Sequence, residues 1–302
     1  MASAVRSGGI FGRNRRDEVK VATEFAFASP VLLADVGGTN ARFALAEAAG
    51  KPVRPLGIYK TAAYPSFKDA ALHALKTAGA AHPKSLLVDG AGPVVDNEIK
   101  LTNAAWRLEI DKIGHELGLH SAMLLNDFEA LALALPFLQA DGLRPIGKGN
   151  PDASGVRLVI GPGTGLGATT LVDMNGIFVP VPSECGMVSI GPVGPDEVAL
   201  WPHIELFHGR IFAEGLLSGG GLERLYRAHR RQAKLDPTET PAARIGEAAL
   251  RRDDPQAVGA VRTFLHILAR YAGDVALIVK ATGGVYLAGG VQSCLCSASS
   301  FK

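Results

Sequence analysis

Leu32-Leu33-Ala34-Asp35-Val36-Gly37-Gly38-Thr39 and Leu158-Val159-Ile160-Gly161-Pro162-Gly163-Thr164-Gly165 lie over each other at a constant offset of 126 residues. In each copy an apolar run reads as a buried strand and its glycine-rich end as a turn. A β-rich segment follows both: Ala41 to Leu45, with Arg42 out and Phe43 and Leu45 in, and Ala168 to Val172. Self-similarity over so long a span points to duplication. The expected fold class is therefore α/β, with two duplicated lobes, each headed by a strand–glycine turn–strand unit, and a cleft between them.

Working outward, the spacing predicts a helix near Ser66 to Ala78, a strand at Ser85 to Asp89 and another at Ser121 to Leu125. An apolar helix follows from about Phe128 to Leu135. Residues 1–30 differ from the rest: Arg6, Arg13, Arg15 and Arg16 precede the first acidic residue, Asp17. An acidic-poor, Arg-bearing start is also a feature of organellar transit peptides, but a flexible extension is the simpler reading, and no apolar stretch supports a secretory signal. The organisation expected is an extension over 1–30, a small α/β lobe over 31–137 and a large α/β lobe over 138–302.

Composition narrows the function. At 302 residues, 47% apolar and 20% charged, the chain is an ordinary globular one with length for two domains. The near-balance of 31 basic and 29 acidic residues argues against a nucleic-acid partner. The apolar runs are too short for a transmembrane helix, so no membrane partner is expected. Three cysteines, Cys185, Cys294 and Cys296, form no spaced framework. That points to a reducing compartment and a cytoplasmic location.

Small residues at a strand end let backbone N–H groups converge on phosphate oxygens. Two such loops in matching positions, one carrying Asp35, form a candidate polyphosphate clamp. Asp35 is placed to hold Mg2+ directly or through water, since that ion favours carboxylate, water and phosphate oxygens. Two rival motifs fail on context. Gly163 to Ala168 fits G-x-G-x-x-A, but a β-branched segment follows where the dinucleotide fingerprint requires a helix. Gly142 to Gly149 nearly matches a P-loop, but ends on Gly149 in place of Ser or Thr. His115 and His120, like His203 and His208, are five apart and do not share a helix face as a zinc pair would. Asn126-Asp127 stands where a strand enters a helix. Asn126 with Glu129 fits a capping pattern, while Asp127 is a candidate proton acceptor for phosphoryl transfer.

With these residues assembled, the chain resembles the bacterial glucokinases of the hexokinase/actin-like superfamily. The matching pieces are LLADVGGTNARFAL (32–45), LTNAAW (101–106), LLNDFEALALALP (124–136), VIGPGTGLGAT (159–169), PSECG (182–186), AEGLLSGGGLERLYRA (213–228) and GGVYLAGGV (283–291). The resemblance implies a ribonuclease-H-like, actin/hexokinase-type fold and ATP-dependent, Mg2+-assisted phosphorylation of glucose. It implies Asp127 as general base and Asn103, Asn126, Asp127, Glu184 and Glu214 as sugar-binding residues. ATP would be held by Ala34, Asp35, Val36, Gly37, Gly38 and Thr39, by Gly163, Thr164 and Gly165, and by Gly289 and Gly290. A homodimer is left open.

Two departures stand out. Where the family reads Glu-Gly-Gly-His, this chain reads Glu184-Cys185-Gly186-Met187, and methionine cannot supply the histidine's hydrogen bond. After Val291 the family continues through further helices, whereas here a serine-rich tail, Gln292 to Lys302, closes the sequence. The large lobe is accordingly expected to be truncated at its C-terminal end, with an uncovered apolar face. The alternatives to glucokinase are a kinase for another hexose, with Met187 relaxing selectivity, and a catalytically weak sugar- or nucleotide-binding protein.

Overall fold

The computed structural model describes residues 27–101, 106–139 and 142–289. Asn103, Gly290, the arginine-bearing start and the serine-rich tail, all named above, lie outside the described residues. The chain divides into two units, the first ending at Asn126 and the second beginning at Asp127.

The first unit is built on Val31–Val36 (β1), Asn40–Ala46 (β2), Arg54–Lys60 (β3), Ser85–Gly90 (β4) and, after a small pair of Glu98–Lys100 (β5) and Arg107–Glu109 (β6), Ser121–Asn126 (β7). The five-stranded sheet runs β3-β2-β1-β4-β7. Its first three strands form an antiparallel meander, while β4 and β7 join parallel to β1. Phe67–Thr77 (α1) supplies the crossover to β4, with Ile110–Glu116 (α2) before β7. Ser66 starts α1 by accepting the Asp69 N–H at 3.2 Å, a cap of a kind that contributes about 1 kcal/mol. The buried positions Phe67, Ala70, Ala71, Ala74 and Leu75 follow the 3.6 period and pack with Leu32, Phe43 and Leu86 of the sheet.

The second unit repeats the plan. Asp127–Ala134 (α3) opens it, and Arg157–Pro162 (β8), Leu166–Met174 (β9) and Ile177–Ser183 (β10) form a second antiparallel meander. Gly194–Leu200 (α4), Ala213–Leu216 (α5), Gly219–Gln232 (α6), Ala242–Arg251 (α7) and Pro255–Val279 (α8) then lead to Val285–Leu287 (β11), which pairs parallel with β8. The order β10-β9-β8-β11 copies β3-β2-β1-β4. The first strands of the two halves begin at Val31 and Arg157, the same offset of 126 seen in the sequence. The segment after Gly163 to Gly165 is the antiparallel strand β9, which removes the dinucleotide reading on structural grounds.

Both faces of the second sheet are covered, which explains the near-continuous apolar run of β8. Leu158, Ile160, Leu166 and Ala168 pack into the helices carrying Leu222, Leu225, Phe264 and Leu268. Val159 and Leu171 face the other way, toward Ala132 and Phe128 of α3. The 25-residue α8 is set by Asp254, which accepts the Gln256 and Ala257 N–H groups, and by Pro255 in its first turn. Lys280, left-handed at φ 52°, ends it.

One hydroxyl in this second core is unsatisfied. The Thr169 hydroxyl is fully buried and has no hydrogen-bond partner among the described residues. A buried hydroxyl without a partner costs about 1–3 kcal/mol, and the isosteric valine suits a strand. Thr169→Val is expected to raise the melting temperature, by roughly 2–4 °C per kcal/mol regained in a domain of this size. A melting temperature at or below the parent's in a calorimetric scan would show that the hydroxyl is bonded.

Candidate functional site

The first glycine loop joins β1 to β2. The Gly37 N–H donates to the Asn40 carbonyl at 2.9 Å, closing the turn. Thr61, 3% exposed just after β3, braces the loop twice: its hydroxyl donates to the Gly38 carbonyl at 3.0 Å, and its N–H to Thr39 at 3.1 Å. Nothing in the residues around Thr61 announces this role, because its partners lie over twenty residues away. Asp35 accepts from Arg42 on the neighbouring strand at 2.7 Å, and both side chains are about half exposed. Such a pair contributes little to stability, and its carboxylate stays accessible.

The second loop is fastened from within its own unit. The Gly163 N–H donates to Gly165 at 2.8 Å, and the Gly163 carbonyl accepts the N–H of Gly219, the first residue of α6, at 2.9 Å. Ser218 caps that helix by accepting the Gly221 N–H at 3.0 Å. The positive end of a 14-residue helix therefore adjoins the loop, as suits an anion. Gly289 follows β11 at φ 103°, and a Cβ there would lie 2.4 Å from the Pro162 carbonyl oxygen. Glycine is required at this position by backbone conformation and by close approach together.

The Glu214 side chain and the turn carrying Glu184 meet at the start of β9. The Leu166 N–H donates to Glu214 Oε2 at 2.9 Å, which places α5 against the strand. Gly165 makes room for that carboxylate, since a Cβ would stand 2.5 Å from the same oxygen. The turn carrying Glu184 is held through Gly186, whose missing side chain admits the Leu166 carbonyl; a Cβ would meet that oxygen at 2.8 Å. Ala213 N–H donates to Val188 at 2.9 Å, joining this turn to α5. From α8, the Tyr271 hydroxyl donates to the Cys185 carbonyl. Burial pushes the Cys185 thiol up from its ordinary value, so it stays protonated and serves as filler on the core. Met187 ends the turn and is 41% exposed.

Asp127 begins α3, where the chain passes from the first unit to the second. Its Oδ1 accepts the Phe128 N–H at 3.0 Å. In the first unit, the Asn126 amide donates to the Gly92 carbonyl at 2.8 Å. The structure thus brings Asp127, Glu184 and Glu214 onto elements that share contacts with β9, while Asp35 and Asn126 belong to the first unit.

An ion cluster missed in the sequence steadies the approach to α5. Glu205 accepts Arg227 through both oxygens, at 3.1 and 2.7 Å, and Arg231 as well. The Arg227 hydrogen bonds, aided by Arg231, hold its carboxyl down at about 2 against a partial cost of burial.

These features define a class: an α/β phosphotransferase of the two-lobed hexokinase/actin-like fold, with a glycine loop on each β-meander and a carboxylate at the head of a helix. A glucokinase family profile matches residues 32–300. Curated relatives named glucokinase include one from Agrobacterium fabrum, 42% identical over 264 residues (87% of this chain, 77% of the relative), and one from Brucella suis, 41% identical over 276 residues (91% and 80%). A crystal structure of glucokinase from an Antarctic psychrotroph superposes with a TM-score of 0.79 at 30% identity, covering 90% of this chain and 87% of that one. A glucokinase from Balamuthia mandrillaris, solved with glucose, shares the fold at TM-score 0.70 and 24% identity, covering 93% and 84%. The chain belongs to the glucokinase family, enzymes that phosphorylate glucose at the expense of ATP. Among the described residues, no helix is long and apolar enough to cross a membrane.

The Glu205 cluster makes a prediction with a definite sign. Because the folded pKa is depressed, from 4.5 to about 2, its stabilisation is present above about pH 4.5 and is lost as pH falls toward 2. Glu205→Gln is expected to lower stability at pH 7 and to flatten its dependence on pH between 4.5 and 2. Urea melts of both proteins across that range check this; parallel curves would contradict it.

Proposed function

We propose that this chain transfers the γ-phosphoryl group of ATP to the 6-hydroxyl of glucose, with Asp127 as general base. The observation that carries the proposal is the gathering of the Asp127 helix, the Glu184 turn and Glu214 around the first residues of β9, directly after the second glycine loop. Carboxylates beside a phosphate-type loop suit a substrate rich in hydroxyls, and a hexose lacking one of those hydroxyls would leave an acceptor of the site unpaired.

In this reading Glu184 and Glu214, with Asn126 and Asn103, accept and donate hydrogen bonds to the sugar. Asp127 takes the O6 proton as O6 bonds to the γ-phosphorus and the bond from that phosphorus to the β,γ-bridging oxygen breaks, releasing ADP. The Phe128 N–H holds Oδ1 of Asp127, fixing the plane of the carboxylate. Ala34 to Thr39 and Gly163 to Gly165 cradle phosphates, helped by the N-terminus of α6, with Gly289 and Gly290 on the nucleotide side.

Asp35 fits Mg2+. It is an accessible carboxylate beside a phosphate-type loop. One carboxylate completed by phosphate and water oxygens is how this ion is commonly held, directly or through water. When bound, it would neutralise charge on the phosphates. The location that suits such an enzyme is the cytoplasm.

Asp127→Asn keeps size but removes the proton acceptor. It is expected to lower kcat by about 10²–10⁴-fold in a coupled ADP-release assay, with glucose binding retained in calorimetry. Near-normal turnover would remove Asp127 from this role. Met187 favours a second reading, relaxed hexose choice, because thioether sulfur is a poor partner for a hydroxyl. Met187→His is expected to tighten glucose binding about 2- to 13-fold, the span of one net hydrogen bond. Unchanged or weaker binding would show that the turn does not present this side chain to the sugar.

A further inference from the structure

We infer that Gly167 and Phe128 form a seat that sets the position of Asp127, so that both are positioning residues for the transfer step. The inference rests on the reading of Asp127 as the base. A Cβ built on Gly167 would lie 2.1 Å from both Cδ2 and Cε2 of Phe128, and 2.8 Å from Cγ. The ring therefore lies flat against the bare backbone of β9.

Conformational freedom is not what this glycine provides. Its φ is not in the left-handed region, in contrast to Gly289 at 103°. Any residue could adopt this strand backbone; only one without a side chain admits the ring. Alternation along β9 explains the direction. Leu166 and Ala168 face the helical core, so Gly167 faces α3 with Leu171.

The consequence falls on Asp127, the residue preceding Phe128. α3 has eight residues, and Phe128, Leu131 and Ala132 hold it on the sheet. A methyl group at Gly167 would push the ring, and the start of the helix with it, back by roughly 1 Å or more. A displacement of that size at a reacting group costs on the order of 10²-fold in rate. The glycine loop itself, fastened at Gly163 and Gly165, is anchored by other contacts. Nucleotide affinity should therefore be spared.

The test measures kcat and both KM values for Gly167→Ala in the parent chain and again in the Asp127→Asn chain, with melting temperatures recorded. In the parent, kcat is expected to fall about 10²-fold, with the KM for ATP changed less than about threefold. In the Asp127→Asn chain the same substitution is expected to change kcat less than about threefold, because the group it displaces no longer acts. Equal losses in the two backgrounds, or a loss confined to KM, would overturn the inference and make the contact merely structural. If Gly167→Ala does not fold, Phe128→Leu carries the same comparison, since it loosens the seat without adding an atom to the strand. A fully active Asp127→Asn chain would instead refute the general-base reading, which separates the two failures.

Discussion

The arrangement of the second unit depends on how closely other backbone and side chains approach the two residues Leu166 and Gly167. The Leu166 amide holds Glu214, its carbonyl is overlaid by Gly186 in the turn after Glu184, and Gly167 receives the ring next to Asp127. Each approach needs an absent or accommodating side chain, and glycines at 165, 167 and 186 provide them. A strand end that continues a phosphate-type loop thus also fixes the elements bearing three carboxylates. Proximity and orientation supply much of the barrier lowering in group transfer, and rigid strands and helices are better placed to supply them than mobile loops.

The surrounding structure keeps that strand end from shifting. β8 and β9 are packed on both faces, by the large helices on one side and α3 on the other. Tyr271, from the middle of the longest helix, holds the Glu184 turn by its hydroxyl, and the Glu205–Arg227–Arg231 cluster ties the segment before α5 to α6. The cluster is partly exposed, so its contribution is geometric as much as energetic.

Much of the fold was legible because duplication wrote the same pattern twice. Strand–glycine–strand at an offset of 126 predicted β1 with β2 and β8 with β9, and the alternation of Arg42, Phe43 and Leu45 predicted which face is buried. The spacing over Ser66 to Ala78 predicted α1. Less visible were the contacts that join distant segments. Thr61 braces Gly38 from 23 residues away, Glu214 reaches Leu166 across 48, and Glu205 meets arginines 22 and 26 residues on. Gly167 stands within the glycine-rich run 159–169, but nothing in its neighbours announces a ring supplied by residue 128. Periodicity reports local conformation and burial; it carries no record of which distant side chain fills a gap.

The central claim is that the carboxylates borne by the elements fastened around Leu166 and Gly167 receive the sugar. A crystal structure of the chain with glucose tests it most directly. The account predicts oxygens of Asp127, Glu184 and Glu214 within about 2.6–3.2 Å of sugar hydroxyls, Asp127 on the 6-hydroxyl, with the Leu166 N–H still donated to Glu214. Glucose bound away from these residues, or bound with Glu214 released from Leu166, would contradict it.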